Sequence, residues 1–149
     1  MKTVEDLVYQ QPVYLHNWKS KPDVISSFES LSLSNEEYMA TISPWPNEPL
    51  WLAKKEKMFE VLKSYETINI LFASYGTDNY SGEAFVLFEK EDKLYEVNAS
   101  HCSCFGLEHQ WSPEETNIVV LLYRLEQGTM GRDSYSDNEY AEELLTFLK

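Results

Sequence analysis

The stretch from Glu83 to Ala99 constrains this chain more than any other. Ala84-Phe85-Val86-Leu87-Phe88 is an apolar run of strand length, and Leu94-Tyr95-Glu96-Val97 alternates apolar with polar. The charged stretch Glu89-Lys90-Glu91-Asp92-Lys93 lies between them, which predicts a β-hairpin. Thr67 to Ser74, rich in β-branched and aromatic residues, adds a third strand. Pairing Phe88 with Tyr95 sets Gly82 beside His101 and brings Asp78 toward the Cys104-Phe105 turn. One open end of an antiparallel sheet then gathers Asp78, His101, Cys102 and Cys104.

Helices are expected on both sides of this block. From Leu50 to Tyr65 the residues Trp51, Leu52, Met58, Phe59, Leu62 and Tyr65 recur at near-helical spacing. Lys54, Lys55, Lys57 and Lys63 on that segment read as a solvated face, with anion binding as the competing use. Ser112-Pro113-Glu114-Glu115 and Ser136-Asp137-Asn138-Glu139 each place a serine three residues before a glutamate, the pattern of a capping box. Two helices should follow them, one carrying Ile118, Val119, Leu121, Leu122 and Leu125 up to Gly128, the other Tyr140, Leu144, Leu145 and Leu148. Residues 1–49 read as irregular, with Pro22 opening a short helix over 22–28 and the prolines of 44–49 forming a connector. Residues 75–82 read as a turn-rich loop whose Tyr75 and Tyr80 cap the core, with stacking on a ligand as the competing use, and 128–133, which lacks any phosphate-binding pattern, reads as a connector.

The expectation is one α+β domain over 1–149: a small antiparallel sheet flanked by amphipathic helices, ending in a C-terminal helix pair. Its parts are 1–49, a helix over 50–65, the sheet with its turn over 67–111, and two acidic helices over 112–149. The net charge of −13 would suit a disordered chain, but 43% hydrophobic and 14% aromatic residues supply a packed core. No basic and apolar leader opens the sequence and no apolar run spans a bilayer, so a cytoplasmic protein with no membrane contact is expected.

With 25 acidic side chains against 12 basic ones, the chain is poorly suited to neutralise phosphates, which argues against direct binding to nucleic acid. A basic protein surface is the more natural partner. The acidity concentrates in the last block, where Glu114, Glu115, Glu126, Asp133, Asp137, Glu139, Glu142 and Glu143 face only Arg124 and Arg132. Glu139, Glu142 and Glu143 are the candidate partner-binding residues; the bland reading is that they keep the protein soluble.

Ser100-His101-Cys102-Ser103-Cys104-Phe105-Gly106-Leu107-Glu108-His109 holds both cysteines and two of the three histidines. A single intervening residue is too short a loop for a structural disulfide, so reduced thiols are expected. Zn²⁺ takes thiolate and imidazole ligands in tetrahedral sites, and a tight Cys-x-Cys turn can present both sulfurs to one ion. The spacing is not that of a zinc finger. Neighbouring His101 and Cys102 also point to opposite faces of a regular strand, so the backbone must bend there. A fourth ligand can come from Asp78, Glu108 or His109. Inert core cysteines and a reactive thiol are the alternatives. A cysteine nucleophile would need His109 or His16 as base, and a zinc hydrolase would need Glu108 or Glu96. A metal- or thiol-dependent enzyme acting on a small substrate is therefore the competing function, and no His-Glu-x-x-His pattern supports it.

Residues 73–115, with Tyr80-Ser81-Gly82-Glu83-Ala84-Phe85-Val86-Leu87-Phe88, Leu94-Tyr95-Glu96-Val97, Ser100-His101-Cys102-Ser103-Cys104-Phe105-Gly106-Leu107-Glu108 and Gln110-Trp111, resemble a family of small phage and prophage proteins, as does the tail from Gly128 to Leu148. The resemblance covers about the C-terminal half. His109 has no equivalent in that family's pattern, which favours Asp78 as the fourth ligand. A small acidic phage protein with a metal site also looks like some anti-CRISPR proteins, which bind the nuclease of a type II system. The resemblance thus implies a non-enzymatic inhibitor with a structural Zn²⁺ held by Asp78, His101, Cys102 and Cys104, acting in the host cytoplasm. Its acidic helices would compete with DNA for a basic channel.

Overall fold

The computed structural model describes residues 1–29, 63–78, 81–102, 106–133 and 138–149. The expected hairpin forms: β3 (Ser81–Lys90) and β4 (Lys93–His101) pair antiparallel, with Phe88 opposite Tyr95 and Gly82 opposite His101. The turn between them is tighter than the five-residue charged stretch suggests. Glu91 and Asp92 form it alone, at φ 54° and 65°. Two successive positive φ values match the twist of the flanking strands, and Asn-Gly is the usual way to obtain them. Here the carboxylate of Glu89 serves instead, accepting from the Asp92 N–H at 3.0 Å and from the Asn69 side chain at 2.6 Å.

β2 (Asn69–Asp78) pairs antiparallel with β3. An irregularity between Ile70 and Phe72 lets Leu71 and Phe72 both join one core cluster while Ile70 joins the other. Two further strands close the five-stranded sheet, whose order is β1-β2-β3-β4-β5. β1 (Val13–His16) runs parallel to β2, and β5 (Glu114–Thr116) antiparallel to β4. The sheet is thus mostly antiparallel, as expected of an α+β protein, with one parallel edge.

Each face carries its own core. On one face α1 (Val4–Tyr9), α3 (Ile118–Glu126) and α4 (Ala141–Leu148) bury Leu7, Leu121, Leu125, Leu144 and Leu148 against Phe72, Phe85, Leu87 and Leu94. On the other, α2 (Lys21–Glu29) brings Val24, Ile25 and Phe28 onto Ala73, Val86, Phe88 and Val97, together with Trp18, Tyr65 and Leu107. Trp111 stacks on Phe88 and meets Phe28 edge-on, so the chain after β4 folds back over this second face. Pro22 lies in the first turn of α2, as its fixed φ favours.

Several expectations are corrected. The short helix opened by Pro22 forms as α2, but α1 and β1 precede it where irregular chain was expected, and the connector expected over 44–49 lies outside the described residues. Ser112 to Glu115 does not cap a helix: Glu114–Thr116 is the edge strand β5, and Asn117 caps α3 by accepting from the Val120 N–H at 2.9 Å. Asn138 and Glu139 likewise form β7 against β6 (Arg132–Asp133), and α4 starts only at Ala141. Pairing with β4 and β6 outcompetes the local cap in both places. Of the helix expected over 50–65, residues 63–65 are helical and 50–62 lie outside the described residues.

Two polar links tie the C-terminal segment to the five-stranded sheet. Ser74 and Asn138, both buried, share a 2.5 Å hydrogen bond that joins β2 to β7. Glu96, 5% exposed, accepts from Arg124 on α3 at 2.7 and 2.8 Å and from Asn98. Arg124, expected on the open acidic face, is therefore committed to the fold.

Candidate functional site

The ends of β2, β3 and β4 meet where the sequence placed them. Thr77 pairs with Gly82 and Gly82 with His101, so Asp78 and Cys102 each follow one residue beyond the same row. The side chain of Asp78 and residues 103–105, Cys104 included, lie outside the described residues. His101 and Cys102 are described: His101 closes β4 half-buried and Cys102 is exposed.

The loop that leaves β4 is clamped at its base. The Ser100 N–H donates to Gln110 Oε1 at 3.0 Å, and Gln110 Nε2 donates to the carbonyls of Ser100 at 2.7 Å and Gly106 at 2.9 Å. One amide side chain thus satisfies three backbone groups and fixes both arms of the loop, with Cys102 just beyond it. Nothing in the sequence singles out Gln110, because a glutamine carries no local signal of which backbone it will reach.

His101 is held from two sides. Its ring meets Tyr75 edge-on, with centroids 5.7 Å apart, and lies over Gly82, where a Cβ would come within 2.2 Å of Nε2. Nδ1 is 3.1 Å from the Cys102 carbonyl. A carbonyl can only accept, so in the neutral ring Nδ1 carries the proton and Nε2 presents a bare lone pair. Nε2 is buried and has no hydrogen-bond partner among the described residues. A buried acceptor left without a donor costs about 1–3 kcal/mol. A tautomer with one ring N–H donated to a backbone carbonyl, here Nδ1–H, is the one that metal-binding histidines adopt.

Glu108 lies near this pair. Its carboxylate packs against Gly106, and burial together with its negative charge raises the Tyr75 hydroxyl above its ordinary pKa. His109, at φ 65°, lines a hollow of about 340 Å³ with Phe28, Glu29, Glu108 and Trp111.

The other candidate bases lie elsewhere. Glu96 belongs to the opposite face in its pair with Arg124, and His16 Nε2 donates to the Glu139 carbonyl at 2.8 Å on the β1 edge. Among the described residues no three His, Cys, Asp or Glu side chains converge on one point. Of the expected quartet, the side chains of His101 and Cys102 are described, at the end of the sheet where β2, β3 and β4 meet.

The acidic candidates stand on the first face. Glu139 on β7 and Glu142 and Glu143 in the first turn of α4 are all exposed. Glu142 and Glu143 line a groove of about 670 Å³ with Gln10, Gln11, Val13, Thr146 and Phe147. Asp133 and Asp137 of the expected acidic face lie outside the described side chains.

No protein-family model, curated protein or solved structure matches this chain. Among the described residues no helix is long and apolar enough to cross a membrane.

Proposed function

We propose that this protein is a non-catalytic inhibitor that docks its acidic C-terminal face on a basic, nucleic-acid-handling surface of a partner protein. The observation that carries this reading is the placement of Glu139, Glu142 and Glu143 on adjoining β7 and α4, all exposed and none in an ion pair among the described residues. The three exposed carboxylates, of which Glu139 faces Arg132 across the β6–β7 pair, belong to a chain of net charge −13 and favour a cationic surface over a phosphate backbone. The phage-protein resemblance gives the partner class: a type II CRISPR nuclease, whose DNA channel is basic. In the same reading the 101–104 turn takes a structural Zn²⁺ through His101, Cys102, Cys104 and Asp78. The buried Nε2 of His101, without a hydrogen-bond partner among the described residues, supports that assignment, and the metal's task is to hold the turn.

A bland account of Glu142 and Glu143 is that carboxylates in a first helical turn favour the helix dipole. The two accounts separate experimentally. Immobilised type II nuclease should bind the native protein with an affinity that falls as salt rises. Glu139→Gln, Glu142→Gln and Glu143→Gln combined should weaken binding at least tenfold while lowering the melting temperature by only a few degrees. Equal binding by the triple variant overturns the docking reading.

A further inference from the structure

We propose that the groove between the start of β1 and α4 is a binding site for an extended peptide segment in which an apolar residue is flanked by lysine or arginine. This rests on the docking reading above and names the part of the partner that the acidic face grips.

Among the described residues β1 is an edge of the sheet, and all four of its residues remain partly exposed. An edge strand offers a row of backbone N–H and C=O groups to any extended chain laid beside it. Pro12 ahead of the strand and the positive φ of His16 at its end keep that row short. The recognised segment is correspondingly a few residues long.

The groove's chemistry selects what lies there. Val13 and Phe147 supply apolar wall, and both pack against the first core, so neither can fold away. Glu142, Glu143 and Thr146 stand on the exposed side of α4 above them. Among the described residues no basic side chain lines the groove. Its volume of about 670 Å³ falls within the roughly 300–1,000 Å³ typical of ligand clefts.

The chain itself supplies a precedent for cation binding at one end. The Lys2 ammonium donates to Gln10 Oε1 and to the Phe147 carbonyl, and Gln10 Nε2 donates to the same carbonyl. Lys2 therefore answers the carbonyl end of α4. The carboxylates of Glu142 and Glu143 lie about one helical turn further back, roughly 6 Å along the axis, and have no ion-pair partner among the described residues.

The test is an amide-shift titration of the full chain with acetyl-Lys-Val-Arg-Val-Lys-amide, and with the same peptide carrying glutamate at its charged positions. Shifts from the basic peptide should be confined to residues 10–16 and 141–147, and the acidic peptide should give none. Glu142→Gln with Glu143→Gln should weaken the basic peptide at least tenfold, and Val13→Thr should weaken it severalfold. Glu114→Gln, on the opposite sheet edge, should leave it unchanged. Shifts centred elsewhere, equal binding by the acidic peptide, or undiminished binding by the double variant overturns the proposal. So does a concentration-dependent dimer that perturbs the same residues without peptide, because the occupant would then be a second copy. Nuclease binding that depends on Glu139, Glu142 and Glu143 without groove shifts refutes the groove but keeps the docking reading. Groove shifts without nuclease binding refute only the latter.

Discussion

The imidazole of His101 occupies the space that any side chain at position 82 would need, with Nε2 only 2.2 Å from where a Gly82 Cβ would sit. Gly82→Ala must push this ring from its contact with Tyr75 or shift the strand pair. Overpacking of this kind costs about 1–3 kcal/mol. Denaturant titration should show that loss, and the His101 ring protons should move as the Tyr75 ring current is lost. Unchanged stability with unmoved His101 resonances would disprove the packing.

If His101, Cys102, Cys104 and Asp78 hold Zn²⁺, the purified protein should contain about one zinc per chain by elemental mass spectrometry. Chelation should lower the melting temperature by at least about 5 °C, on the order of 2 kcal/mol in a chain of this size. Cys104→Ser and His101→Gln should each abolish the metal content. Protein purified from zinc-supplemented medium with no bound metal sinks the assignment.

Arg124→Met removes the cation from Glu96, whose carboxylate stays buried beside Asn98. Breaking a fully buried pair costs about 3–5 kcal/mol. Because the Arg124 side chain is 32% exposed and its charge is partly solvated, about 2 kcal/mol is expected here. Glu96→Gln in the same chain should recover part of that loss in a double-mutant cycle. Strict additivity of the two substitutions would show that the pair is uncoupled.

Alkaline pH should unfold the protein through its tyrosines. Burial raises the hydroxyls of Tyr65 and Tyr140 far above the ordinary tyrosine value, and the Glu29 carboxylate, which accepts from Tyr65 at 2.5 Å, adds to the shift at Tyr65. A raised folded-state pKa gives stability that is complete below the unfolded pKa and declines above it. The decline should begin near pH 10 and steepen by about 1.4 kcal/mol per pH unit for each tyrosine that must stay protonated. Circular dichroism with absorbance at 295 nm follows both events. Tyr65→Phe should make the slope shallower by about one proton, and an unchanged slope would remove Tyr65 from the account.

Much of the sheet was legible because its signals are local. The apolar run 84–88, the alternation at 94–97 and the charge between them fix a hairpin whose register places Gly82 opposite His101. The same register brings Asp78 and Cys102 to one end of the sheet. The apolar spacing of 118–125 and 140–148 likewise marked two helices, since each must bury one stripe.

What tertiary structure decided depends on partners distant in sequence. Val13–His16 becomes a strand only because β2 offers a parallel edge more than fifty residues later in the chain, and nothing in those four side chains announces it. Glu114–Thr116 and Asn138–Glu139 carry helix-start signals worth about 1 kcal/mol, which strand pairing and the buried bond from Asn138 to Ser74 outweigh. The groove on β1 and α4 exists for the same reason: Gln10, Val13, Glu142 and Phe147 come from opposite ends of the chain. Sequence determined which residues pair locally and which carry charge. Long-range packing, which must satisfy every buried polar group and cover both faces of the sheet at once, decided where those charges stand.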